Sequence, residues 1–187
     1  MDANKILESV TLEVLEGPTG RVDDENWPHL HFKVRLSRNG REVWTGDWRA
    51  GLGLVKPTAK DERDAHALFQ SPRAPEGAGP IISTIRKHPH SVSRIADKEA
   101  NAAAIAWCAK RQGYAPTVAD LMGSLMQDGT AYFDAETFEE WASNFGYDID
   151  SRKAESVYRA CDTIGRALAR AFDADELAAL RDWAAEQ

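Results

Sequence analysis

Four of the five histidines stand in two pairs, His29-Leu30-His31 and His88-Pro89-His90. Residues i and i+2 of a strand project from one face, so each pair can chelate, and two pairs would complete a tetrahedral zinc shell. No carboxylate or cysteine is placed beside them. The plainer reading puts His29 and His31 on a polar strand face and His88 and His90 in a loop. No metal site and no cofactor are assigned on spacing alone. Cys108 and Cys161, the only cysteines, lie inside apolar helical patterns with no histidine near in sequence. That describes buried thiols in a reducing compartment rather than nucleophiles. Other enzyme signatures fail in their surroundings. Gly51-Leu52-Gly53 is not followed by a helix, and Gly123-Ser124 has no nucleophile elbow around it. Asp128-Gly129 and Asp148-Ile149-Asp150 put Tyr132 and Arg152 where calcium ligands belong. No catalytic residue is assigned, and the expectation is a protein that binds rather than one that reacts.

Two stretches carry binding chemistry. Net charge is −7, yet from Pro28 to Lys56 six cations (Lys33, Arg35, Arg38, Arg41, Arg49, Lys56) meet only Glu42 and Asp47, a local +4 that leaves −11 elsewhere. Trp44 and Trp48 fall among Lys33, Arg35 and Arg49, the combination on which single-stranded bases stack while cations hold phosphates. The competing reading packs this face inside the fold, with arginine and lysine stems covering apolar surface. Global acidity opposes non-specific attachment to a phosphate backbone. The second stretch is the reverse. Between Gln112 and Ser151 there is no Lys or Arg, but there are eight acids: Asp120, Asp128, Asp134, Glu136, Glu139, Glu140, Asp148 and Asp150. Solvated faces ordinarily mix both signs, so a cation-free run points to a partner with a basic surface. Asp134, Glu136, Glu139, Glu140, Asp148 and Asp150 are its candidate contacts.

The elements that must position these residues follow from hydrophobic period. Ser9 to Leu15 alternates as a half-buried strand with Val10, Leu12 and Val14 on one face, and Glu16-Gly17-Pro18-Thr19-Gly20 reads as a turn. His29 to Leu36 alternates again, apolar at Leu30, Phe32, Val34 and Leu36. Asn39-Gly40 then signals a two-residue hairpin, which sets Leu36 opposite Val43, Arg35 opposite Trp44 and His31 opposite Trp48. Thr58 caps a short helix with Ala65, Leu68 and Phe69 on its apolar side, Ser71 to Pro80 is a Pro/Gly-rich loop, and Ile81 to Ile85 is one more strand. After Ile95 the period becomes helical. The expected helices are Asp97–Arg111, one capped by Thr117, one capped by Asp134, one capped by Ser151 or Asp150, and one opened by the Asp173/Glu176 capping box. On the Asp134-capped helix, Phe138, Trp141, Ala142 and Phe145 form the inward stripe and Gly146 is the stop.

The fold class expected is therefore α+β: an N-terminal antiparallel sheet built on a hairpin, followed by a C-terminal helical bundle. Residues 1–94 form a β-rich region with the loop at 71–80, and residues 95–187 the helical region. A 43% hydrophobic content supports a packed core, and six tryptophans are available as core or anchor residues. No apolar run approaches the ~20 residues that cross a bilayer. The first residues also lack the basic and apolar regions of a signal peptide, so a cytoplasmic protein without membrane contact is expected.

Two segments carry a resemblance. Phe138 to Tyr158, FEEWASNFGYDIDSRKAESVY, resembles a stretch recurring in small proteins of tailed phages and prophages, and Thr45 to Gly53, TGDWRAGLG, is similar to them as well. Together they cover under a fifth of the chain. The family has no assigned activity, so the resemblance implies no catalytic residue. What it implies is context: small acidic phage accessory proteins bind and disable host defence machinery, CRISPR effectors included. The resulting expectation is a phage accessory protein, acting in the host cytoplasm on a host protein with a basic surface. The alternative is a single-strand nucleic-acid-binding protein of a phage replication module. A third possibility is a small metal-dependent enzyme using the histidine pairs.

Overall fold

Asn39 and Gly40 have φ of 52° and 75°. Two successive positive φ values define the turn whose twist matches paired strands, and the hairpin forms where the sequence asks for it. In the computed structural model, which describes residues 2–23, 27–50, 55–69, 76–88, 97–134 and 137–187, three antiparallel strands form a sheet. They are β1 (Val10–Val22), β2 (Pro28–Arg38) and β3 (Arg41–Ala50), in the order β1-β2-β3. On the central strand Leu30, Phe32, Val34 and Leu36 are fully buried and alternate with polar residues. Helices follow from Ala59 onward, so the α+β class holds.

The sheet departs from expectation in three places. β1 does not turn at Glu16–Gly20 but runs on to Val22, through a cis Gly17–Pro18 bond, and Val14 is exposed. The glycines there serve close approach rather than reversal. A Cβ on Gly17 would lie 2.7 Å from the His31 carbonyl oxygen, and one on Gly20 would lie 2.1 Å from that of Ala102. Second, the buried positions of β3 change phase, from Val43 to Trp48 and Ala50, while those of β2 keep theirs. Trp48 is consequently not beside His31 on the open face. It is 7% exposed, in the core, with its ring centroid 6.0 Å from that of Phe32. Third, Ile81–Ile85 is not a strand but part of helix α3, because Ala78, Ile82 and Ile85 share one helical face and are all buried.

The chain gathers into two compact units that do not part at residue 94. One takes Met1–Glu13, Arg35–Thr45 and Thr117–Gln187, the other Val14–Val34 and Gly46–Pro116. The second unit holds α2 (Ala59–Leu68), α3 (Ala78–Lys87) and α4 (Lys98–Gln112). Ala65, Ala78, Ile82 and Ala104 form a small-residue core there, covered by Ile81 and Trp107. Thr58 caps α2 as expected, although Phe69 at its end is exposed. Within the Ser71–Pro80 stretch, Ala78–Pro80 is the first turn of α3; residues 71–75 lie outside the described residues, as do Gly51, Leu52 and Gly53.

The first unit holds α1 (Ala3–Glu8), α5 (Val118–Asp128), α6 (Thr130–Phe133), α7 (Phe138–Phe145), α8 (Arg152–Ala171) and α9 (Ala174–Ala185). Capping boxes at Thr117/Asp120 and Asp173/Glu176 start α5 and α9, and Ser151 caps α8. The expected cap of α7 is corrected: Thr137 with Glu140 makes the box, whereas Asp134 ends α6. Gly165 of α8 lies where a Cβ would come 2.4 Å from that of Tyr132, so α6 and α8 approach at backbone distance. Arg38 is the polar centre of this unit. It donates to both carboxylate oxygens of Glu176 (2.8 and 2.5 Å) and to the Ala171 carbonyl (2.8 Å), with its guanidinium over the Phe172 ring.

Candidate functional site

Lys33, Arg35 and Arg49 each face a carboxylate. Lys33 lies 3.5 Å from Glu16, Arg35 bonds Glu13 at 3.0 Å and lies 3.4 Å from Glu42, and Arg49 stands 4.0 Å from Asp23. His31 faces Asp47 at 3.4 Å; burial and then the Arg21 charge hold its pKa below the ordinary value, so the ring is neutral near pH 7. Trp44 is half-buried on β3. Of the five residues expected to hold nucleic acid, Lys33, Arg35 and Arg49 are therefore engaged by carboxylates and Trp48 is withdrawn into the core. The sequence count of cations missed this because Glu13, Glu16 and Asp23 lie on β1 or just past its end, outside the Pro28–Lys56 stretch.

The histidine pairs are not brought together among the described residues: His29 and His31 lie on β2, His88 ends α3, and His90 lies outside the described residues. No cluster of three or more metal-ligating side chains occurs among the described residues. Cys108 is buried and its thiol is pushed up to about 12; Cys161 is half-buried and pushed to about 11, in both cases chiefly by burial. Neither is a thiolate near neutral pH.

Part of the acidic stretch, Glu139, Glu140, Asp148 and Asp150, lies along α7 and the connection from α7 to α8. Thr137 accepts from the Glu140 amide at 3.3 Å, and the Glu140 carboxylate accepts from the Thr137 amide at 2.9 Å. Those bonds hold the Glu140 carboxyl below its ordinary value. Trp141 is buried, and aromatic rings assemble around it: Tyr147 stacks at 5.0 Å and 9°, Phe145 lies at 5.3 Å, Tyr158 at 5.6 Å and Phe138 at 6.5 Å. Gly146, at φ 70°, stops the helix, and the Tyr147 amide closes back on the Ala142 carbonyl at 2.8 Å. Asp148 then accepts from the Asp150 amide at 3.0 Å, and the Ser151 amide donates to the Asp148 carbonyl at 3.0 Å. A connection pinned at each step presents its apolar side chains outward. Phe145 is 57% exposed, Tyr147 41% and Ile149 56%. Asp134, Glu139, Glu140, Ser143 and Asn144 line an open depression of about 560 Å³.

The structure separates the six candidate acids by role. Glu140 belongs to the cap of α7, and Asp134 is bonded by Arg181 at 2.5 Å. Glu139, Asp148 and Asp150 are exposed, and no ion pair holds them among the described residues. Glu136 lies outside the described residues. Sequence reasoning missed Phe145, Tyr147 and Ile149 as contacts. The helical period places Phe145 in the inward stripe, but it is the last residue of α7, past the Trp141 pocket. The signal for the others was in the sequence: apolar residues alternating with acids in a short helix–helix connection have no core to enter.

Comparisons of the chain with protein families, with curated proteins and with solved structures return no match. No helix among the described residues is long and apolar enough to cross a membrane.

Proposed function

We propose that this chain is a binding protein that engages a basic protein surface through the α7–α8 corner. The observation that carries the reading is the trio Phe145, Tyr147 and Ile149, exposed on a hydrogen-bonded turn and interleaved with Asp148 and Asp150. Aromatic anchors on a rigid support lose little entropy on docking, and flanking carboxylates steer a cationic partner. The resemblance of residues 138–158 to phage and prophage accessory proteins falls on this same corner. It supports a host protein as the partner, with inhibition of a CRISPR-type effector, whose nucleic-acid grooves are basic, as the sharpest form. The alternative of single-strand binding by Lys33, Arg35, Trp44 and Arg49 has less support, since those cations already face carboxylates.

The test separates anchors from folding. Phe145→Ser with Ile149→Ser is expected to weaken the partner, measured by surface plasmon resonance against a purified effector, by about thirtyfold or more, the scale of lost hot spots. Melting should fall only modestly, because both side chains are more than half exposed and Phe145 gives up one ring contact with Trp141, worth about 0.5–1.5 kcal/mol. Glu139→Lys with Asp150→Lys should act mainly on the association rate and flatten its salt dependence. Unchanged binding in the apolar double variant would sink the reading.

A further inference from the structure

A cleft of about 600 Å³ lies where the hairpin tip meets the last turns of α8 within the first unit, lined in part by Arg38, Asn39, Arg41, Glu42, Arg170 and Ala171. Its charges do not cancel. Arg38 is spent on Glu176 and on the Ala171 carbonyl, so it also covers the electronegative end of α8. Glu42 faces Arg35 at 3.4 Å, sharing that guanidinium with Glu13. That leaves Arg41 and Arg170, both exposed and neither holding a carboxylate among the described residues. Most described arginines do hold one, as Arg35, Arg86, Arg111, Arg159, Arg166 and Arg181 illustrate. Arg41 and Arg170 thus both line one concavity of a −7 chain without a carboxylate of their own.

We propose that this cleft binds a phosphate group through Arg41 and Arg170, with the Asn39 side chain available as a further polar contact at the turn. The planar fork of arginine matches phosphate oxygens bidentately, and a phosphate monoester carries close to two negative charges near neutral pH, one for each guanidinium. The volume exceeds what a bare phosphate fills and lies in the range of small-molecule sites, so the cleft suits a phosphomonoester.

Thermal melting of the intact chain is followed with potassium phosphate, with adenosine monophosphate, and with potassium chloride at matched ionic strength. Phosphate-dependent stabilisation beyond the chloride control is expected. Arg41→Ala and Arg170→Ala should each weaken it by about tenfold, the scale of a lost hydrogen bond to a charged group. Arg159→Ala, which removes an exposed cation bonded to Glu155, should leave it unchanged. Stronger stabilisation by adenosine monophosphate than by phosphate would place a phosphomonoester in the cleft; equal stabilisation would restrict recognition to the phosphoryl group, and both support the proposal. No effect beyond chloride, or an effect that survives in both arginine variants with their circular dichroism intact, overturns it.

Discussion

Glu176 serves two partners, accepting from Arg38 with both oxygens while capping α9 against the Asp173 amide at 3.1 Å. The bonds from Arg38, and then that amide, hold its carboxyl below the ordinary value of 4.5 despite partial burial. A carboxyl depressed in the folded state adds stability that is full above the unfolded value and is lost as pH falls through the folded one. Glu176→Gln should therefore cost about 2 kcal/mol at pH 7, since charge-assisted bonds are lost around a half-buried guanidinium. In urea titrations the gap to wild type should narrow as pH falls below the unfolded value and through the depressed folded one. At the same scale, Cys108, with its thiol near 12, should escape iodoacetamide at pH 8 in the native protein and react once unfolded. The Asp173/Glu176 box was legible in the sequence because both partners lie three residues apart. The Arg38 bond was not, because nothing local ties the hairpin to α9.

Among elements, close approach decides more than propensity. Glycine in a helix interior costs about 1 kcal/mol against alanine, so Gly→Ala normally stabilises. A methyl on Gly123 of α5 would meet only the Trp183 ring, at 3.9 Å, and Gly123→Ala should raise stability by up to about 1 kcal/mol. Gly165→Ala should do the opposite, lowering it by about 1–3 kcal/mol or more, because its methyl would collide with Tyr132 and the Gly129 carbonyl. Paired denaturation curves check both signs. The same physics explains which elements could be read in advance. Helices with capping boxes and a stop glycine were visible because those signals are local. The course of β1 was not, since Gly17 and Gly20 answer to His31 and to Ala102 rather than to their own neighbours. The phase change on β3 was equally hidden, and with it the placement of Trp48 in the core rather than on the expected open face.

For the whole molecule, charge placement matters more than its sum. Because the sheet-face cations are paired and the net charge is −7, no single-stranded oligonucleotide should bind at about 0.15 M salt, where each neutralised phosphate contributes less. Fluorescence anisotropy checks this; micromolar affinity that falls steeply with salt would restore the sheet face as a site. The candidate corner was half legible: the acids stood out by composition, while the apolar trio had to be seen exposed. A different consequence follows from how the two units draw on the chain. The unit of Val14–Val34 and Gly46–Pro116 is complete once Pro116 has been made. The other needs Met1–Glu13 and Thr117–Gln187 together, and α1 packs on α9. At about 5–20 residues per second, Ile6 waits on the order of ten seconds after Pro116 for the helix that buries it. During synthesis on the ribosome α1 is made well before α9, on which it packs, and a nascent chain halted before α9 is expected to leave α1 without that cover.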